Sequence, residues 1–542
     1  MLNLLRNSIN VLRKVSGLDS DASAFITAAG LTDATQKDAI NTLVKDMKAA
    51  GLWTKMKAVY PMVGGTATSM KFNLKDPRDL DAAFRLTWSG GWTYSATGAT
   101  PNGTNAYADT KFNLLTNLPG YDNSFSVYFR QNLYGTYKVG ASGTSYDRGM
   151  SAHLGWTNSS GTLYHDNLGR NTMANSAYGT FDAYHISSVT STSSQKLYRN
   201  GVMKLSGAAT SGLTQPSINF YFGASNDNGT ANYFDPKQIA FGTLSTSLTD
   251  QDAQLLNQIV EKYQVALSRG VQAAQSFYYN SAYSNEANTY LYSTQITGTT
   301  QVSAINTLIN GLKANNLWTK MKAVYPFVTD KTLQTDMAAQ MKFNLVNPQD
   351  SDAAFRLAFS GGWTYSTNGA QPNGTNGYAD TKLGQTAAGM FTNSHLSFYS
   401  RTNSTTATGQ VEMGVGATLG GTFTNLLMRL DTITNYVGGS IGSRNALSTA
   451  TNSIGHLIVN ALSASAKAYK NGSLVATDTS TQTGTLNSLP IFIGCQNNNS
   501  VPSAYTTRQA AFASIGDGLS DAEALALYNL IQQFQTDLTR QV

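Results

Sequence analysis

The sequence predicts a mainly β protein: two tandem antiparallel β-sandwiches, each flanked by short helices, behind a helical N-terminal arm. Three observations carry that prediction. The 542 residues repeat with a period near 270, too long for a solenoid, so a whole domain is duplicated. Between the helical ends of each copy lie short alternating segments broken by turn signals. Asn200-Gly201 and Asn471-Gly472 are the strongest of these, since a type I′ hairpin needs positive φ at both positions. Charged residues make up only 13% of the chain, against 48 glycines and 28 tyrosines, the habit of exterior β-proteins.

The repeat can be read residue by residue. Leu52-Trp-Thr-Lys-Met-Lys-Ala-Val-Tyr-Pro61 recurs unchanged at 317–326, an offset of 265. Six residues are then inserted. Residues 70–111 align with 341–382 at offset 271, with 32 of 42 positions identical. Carrying 271 onward pairs Tyr198-Arg-Asn-Gly201 with Tyr469-Lys-Asn-Gly472, and His185 with His456. It also sets Trp156, Tyr164 and His165 against Leu427, Asn435 and Tyr436, a divergence expected to give the two domains different ligands.

Four segments follow in chain order. In residues 1–35, an arm for anchoring or oligomerisation, Leu2, Leu5, Ile9, Leu12 and Val15 form one apolar stripe at spacings of three and four. Arg6, Arg13 and Lys14 make it basic. Such a short helix is marginal alone and needs a surface to cover. That surface is a virion partner or another copy, with packing on the first repeat nearly as well supported.

Residues 36–268 form the first sandwich. Its leading helix places Ile40, Leu43, Val44 and Met47 on one face and ends where Gly51 supplies a left-handed cap. Phe125–Phe129, Gln195–Tyr198 and Ile218–Phe222 read as strands. Thr249 and Asp252 start the closing helix with the spacing of a capping box. Its stripe of Leu256, Ile259, Val260 and Tyr263 is expected to dock on its own domain.

Residues 269–300, rich in Ser, Asn, Gln and Tyr without sustained periodicity, are expected as a linker. Residues 301–542 repeat the plan. Asn316 takes the cap position, Ser520 and Glu523 form the capping box, and Leu527, Leu530, Ile531 and Phe534 the stripe.

Composition excludes several classes. The single Cys495 rules out a disulfide scaffold and a cysteine zinc site. No apolar run approaches the ~18 residues of a membrane helix. The net charge of +6 reflects few acids rather than a basic patch, so no nucleic-acid partner is expected. Polar residues interrupt the N-terminal apolar stretch and no small-residue cleavage site follows, a poor signal peptide.

Asn102-Gly-Thr-Asn-Ala-Tyr-Ala-Asp-Thr110, Ser124-Phe-Ser-Val-Tyr-Phe-Arg130 and the Lys196-Leu-Tyr-Arg-Asn-Gly201 hairpin stand in a fixed order. So do Phe222-Gly223 and the Leu248-Thr-Asp250 helix start, and the second copy repeats the series. In that order they resemble concanavalin A-like (laminin G-like) domains, over about 60–267 and 325–538. The segments from Asp33 to Pro61, then Asp81-Ala-Ala-Phe-Arg-Leu86 and Gly90-Gly-Trp92, resemble virion-associated proteins of bacteriophages. Those infecting Bacteroidetes-type hosts come nearest.

That resemblance implies a non-enzymatic structural protein on the virion exterior, as a head fibre, spike or capsid decoration. It implies capsid or tail proteins as partners, a homo-oligomer with a trimer favoured, and adhesion to host-surface glycans. A bacterial cell-surface lectin or adhesin is the alternative reading, and a glycoside hydrolase the third.

The hydrolase reading meets a shortage of carboxylates. A retaining glycosidase needs two carboxyls about 5 Å apart, and glucanases of this family supply a glutamate pair on one strand. Only Glu261, Glu286, Glu412 and Glu523 exist, and only Glu412 falls within a sandwich. Asp81 with Arg85 and Asp352 with Arg356 read as local ion pairs, and His185 and His456 as packed strand histidines. Trp92 and Trp363, each behind Gly-Gly, read as packing residues, with any ligand surface left to the rim loops. Asn226-Asp-Asn-Gly229 reads as a turn, because the downstream glutamate of a calcium loop is missing. Gly64-Gly-Thr-Ala-Thr68 lacks the P-loop lysine. No catalytic, cofactor-binding or metal-ligating residue is assigned; calcium stays open without a motif.

Overall fold

A computed structural model describes residues 17–542 except 136, 144–148, 153, 155–161, 405–407, 417–422, 432–434, 484–485 and 487. The arm stripe from Leu2 to Val15 and Trp156 lie outside the described residues. The chain is mainly β and divides into two compact units, one running to Ala274 with Tyr278–Ser281, the other holding Gln275–Phe277 with Ala282–Val542.

In the first unit an eight-stranded sheet and a nine-stranded sheet form a sandwich. At the centre of the eight-stranded sheet, Asn123–Phe129 pairs with Tyr184–Ser191 on one side and Ile239–Ser245 on the other. Asn123–Phe129 and Ile239–Ser245 are buried at every position, as strands covered on both faces must be. One face carries Phe125, Val127 and Phe129 into the inter-sheet core. The other carries Tyr128, Tyr184 and Phe241 under the helices Ala34–Ala49 and Asp250–Ala266. In the nine-stranded sheet Tyr107–Asn113 alternates, with Ala108, Thr110 and Phe112 buried and their neighbours half-exposed. Pairing is antiparallel except where Ser225–Asp227 runs parallel to Val139–Ser142.

The second unit has the same two sheets and the same single parallel pair, Gln496–Asn498 on Met413–Gly416. Asn393–Ser400 is central, between Gly455–Leu462 and Ala510–Gly516.

The helix signals are met in detail. Ile40, Leu43, Val44 and Met47 are all buried, and Gly51 and Asn316 both take positive φ. Thr249 with Asp252 and Ser520 with Glu523 close reciprocal capping boxes. Leu256, Ile259, Val260 and Tyr263 pack into the first unit's own core, and Leu527, Ile531 and Phe534 into the second's. Leu530 is only half-buried. Asn200-Gly201 and Asn471-Gly472 have positive φ at both residues, as the hairpin requires.

The stretch 269–300 carries ordered structure belonging to the units, where a linker was expected. Arg269 is fully buried. Its guanidinium donates to Gln264 Oε1 and to the carbonyls of Met62, Pro61 and Ala240. Arg540 repeats this on Gln535, Phe327, Pro326 and Ala511. Further on, Asn285–Thr294 is a helix capped by Ser284, with Tyr290 and Leu291 buried in the second unit's core. It stands in the place that Ser20–Ala28, capped by Asp19, holds in the first unit. The structural repeat therefore starts near residues 19 and 284. Caps and buried positions are kept across that offset of 265 while the sequence is not.

The offset also drifts inside the sandwich. The link from Phe129 to Val139 is three residues shorter than that from Ser400 to Met413. Met150 then pairs with Asn167 as Thr424 pairs with Ile441. Tyr164 and His165 thus correspond to Gly438 and Gly439, and not to Asn435 and Tyr436. His165 bonds Ser187 inside the first core; at the same place Gly439 lies against the Asn425 carbonyl and Val459, with no room for a side chain. His185 and His456 are not counterparts either. The backbone of Tyr184 exchanges hydrogen bonds with Asn200, and that of His456 with Asn471. His456 therefore stands in the place of Tyr184. A uniform offset of 271 cannot follow loops that change length.

Candidate functional site

The second unit carries a polar cleft of about 530 Å³ at one end of its sandwich, lined by Asn435, Thr449, Ala450, Thr451, Asn452, Lys470 and Asn471. Two local features create it. The loop from Ala450 to Gly455 is short, and the Asn471-Gly472 turn brings Lys470 to the edge beside it.

In the first unit the matching loop, 175–183, is three residues longer and packs inward. Tyr178 stacks on Phe181 and His185, and its hydroxyl meets His185 Nδ1 at 2.6 Å. Arg199, at the Lys470 position, is tied to Thr180, and Gly179 lies against its guanidinium. Where the second unit is open, the first is filled.

Buried charge supports the cleft from below. Glu412 Oε1 accepts from Arg508 at 2.5 Å and from the Thr506 hydroxyl at 2.9 Å. Its Oε2 accepts from the Met428 amide at 2.6 Å. Arg508 also donates to the Arg429 carbonyl. The Arg429 guanidinium then grips both walls, through Asn435 Oδ1 at 2.6 Å and the Thr451 carbonyl at 3.1 Å. These bonds occupy both Glu412 oxygens and two of the Arg508 nitrogens, leaving the buried Arg508 Nε without a partner, and they tie the floor to the rim.

Lys470 donates to the Ile454 carbonyl. Burial pulls its pKa down to about 7, with Glu412 acting to raise it and Arg508 to lower it. At the Arg508 position the first unit has Lys237, which donates to Leu154 O and pairs with Asp235 at 2.9 Å.

The other residues singled out in the sequence are engaged in structure. Asp81 pairs with Arg85 at 2.9 Å and Asp352 with Arg356 at 3.2 Å. Glu261 accepts from the Tyr128 hydroxyl, Glu286 pairs with Lys313 and Glu523 with Lys320. The four glutamates therefore bind four different partners, and Glu412 faces no second carboxylate among its bonded neighbours. Trp92 packs edge-on to Trp88, and Trp363 edge-on to Phe359. Each indole N–H donates to a backbone carbonyl. Asn226 Oδ1 accepts from the Gly229 amide to close a hairpin turn, while Asp227 faces Lys138 at 3.6 Å. Among the described residues no three His, Cys, Asp or Glu side chains gather as a metal site, and no helix is long and apolar enough to cross a membrane.

Sequence reasoning passed over Lys470, Arg429 and Thr451, and singled out Asn435 only as a divergent position set against Tyr164. Their signal was present but indirect: Lys replaces Arg in the Tyr-x-Asn-Gly hairpin, and the loop before it changes length.

No protein-family model and no curated protein matches the chain. Solved structures that the chain matches include domain 4 of the arabinanase AbnA from Geobacillus stearothermophilus, in complex with arabinotriose. That match has 19% identity and a TM-score of 0.25, covering 38% of this chain and 98% of that one. A Trypanosoma rangeli sialidase in complex with the inhibitor DANA matches at 9% identity and a TM-score of 0.28, covering 64% and 48%. The binding domain of botulinum neurotoxin serotype D matches at 10% identity and a TM-score of 0.27, covering 39% and 52%. The chain thus spans about half the length of the sialidase and toxin chains it matches.

Proposed function

We propose that the protein is a non-enzymatic structural component of a virion exterior, a fibre, spike or capsid decoration, that holds host-surface glycan in the second-unit cleft. The observation that carries the adhesive part is the cleft lining. Asn435, Asn452, Asn471, Thr449, Thr451 and Lys470 line a space of about 530 Å³. A few placed polar groups of this kind orient a ligand in a pocket, and amides and hydroxyls match the donors and acceptors of a sugar ring. Among the described residues the lining holds no carboxylate, so these residues offer neither the acid nor the nucleophile of glycoside hydrolysis.

The virion part rests on the phage-like segments of the sequence, with capsid or tail proteins as partners and a homo-oligomer, a trimer by preference, as the assembled form. Two measurements test the reading. Incubation with host polysaccharide should retain the protein on the polymer and release no reducing sugar; steady release would make it a hydrolase. Mass spectrometry of purified particles should find the chain; finding it only on the bacterial surface would favour the adhesin.

A further inference from the structure

We propose that the second-unit cleft selects a saccharide bearing a carboxylate, with that anion seated on the Lys470 ammonium; the inference rests on the glycan reading above. Three features of the site support it. An ammonium has three donors and no acceptor, and among the described residues Lys470 meets one acceptor, the Ile454 carbonyl, and no ion-pair partner. The nearby acid, Glu412, has both oxygens taken by Arg508, Thr506 and Met428, so it is not free to turn toward the lysine. Arg429 adds a second cation beneath the walls, while Arg508 is neutralised in its ion pair with Glu412. Among the described residues the cleft therefore presents donors and net positive charge with no carboxylate in its lining.

An anion held there would gain a charge-assisted hydrogen bond in a half-buried setting, where such bonds are stronger than in water. Burial already weakens the hold of Lys470 on its proton, and an anionic neighbour would reverse that. Asn435 and Asn471 have their Oδ1 atoms taken by Arg429 and the His456 amide, which leaves Asn452, Thr449 and Thr451 around the rim for the sugar hydroxyls.

The same comparison sets the number of sites. Arg199, the first-unit counterpart, is tied through its guanidinium to Thr180 of the loop 175–183, with Gly179 against it. Each chain should take one acidic ligand and not two.

The test is calorimetric titration of the full chain with oligosaccharides of alginate, polygalacturonate and hyaluronate, each beside its carboxyl-reduced form. At least one acidic oligosaccharide should bind about tenfold or more tighter than its reduced partner, which is about 1.4 kcal/mol, at one site per chain. Lys470→Gln should erase that preference, and Lys470→Arg should keep it. Equal affinity for the acidic and reduced forms overturns the inference and leaves the glycan reading standing. So does a preference that survives Lys470→Gln in a folded variant. If neutral sugars and acidic ones both fail to bind, the glycan reading itself falls.

Discussion

Two buried arginines show how single residues hold this fold. Arg269 and Arg540 each end a closing helix and return its last turn to the sheet through three backbone carbonyls. Replacing Arg540 by Met should leave those carbonyls unpaired and cost about 3 kcal/mol or more; urea unfolding of the full chain measures it. His456 is the opposite case. It lies between Tyr399 and Tyr528 with neither ring nitrogen hydrogen-bonded, in the place of Tyr184. His456→Phe should therefore raise stability at pH 7 by about 1 kcal/mol.

The same substitution has a pH signature. Burial pulls the pKa of His456 down to about 3 and that of His165 to about 4. The unfolded chain binds these protons near pH 6.5 and the folded chain does not. Their contribution to stability is present above pH 6.5 and is lost as pH falls toward 4. Burial raises Asp235 and Glu261, so these groups act in the other direction. His456→Phe isolates one histidine: the acid decline in urea midpoint between pH 6.5 and 4 should become shallower than in the parent.

Among elements, the helices were the most legible in sequence, because caps and apolar spacing are local. Removing either cap, Thr249→Ala or Ser520→Ala, should cost about 1 kcal/mol, read as a lowered urea midpoint. The helix Asn285–Thr294 was missed. Its polar composition hides the few buried positions, Ala287, Tyr290 and Leu291, that fix it. Of the central strands, Phe125–Phe129 was found through its aromatic and hydroxyl alternation, while Ile239–Ser245, whose Thr243 bonds Ser126 across the sheet at 2.6 Å, was not. Strand-to-strand equivalence between copies was not legible. It depends on loop lengths at Phe129–Val139 and Ala174–Tyr184, and only hydrogen-bond register shows where the extra residues go. The candidate site fell in that gap, since Lys470 looks like an ordinary hairpin lysine until the short loop beside it is placed.

For the whole molecule, duplication followed by divergence explains why one unit is filled where the other is open. Each unit holds its own helix-side and inter-sheet cores. A fragment of residues 282–542 should then give a β-rich circular dichroism spectrum and a cooperative melt on its own; a disordered spectrum would mean that the repeats do not fold independently. The central claim is that the second-unit cleft holds glycan without cleaving it. The most direct measurement is retention of the full chain on intact host surface polysaccharide, wild type beside Thr451→Trp. That substitution fills the cleft from its rim and leaves the carbonyl gripped by Arg429 in place. The account expects the wild type to be retained, the variant to lose at least tenfold in affinity with its melting temperature unchanged, and no reducing ends to appear. Equal retention of the two proteins, or steady release of sugar, would contradict it.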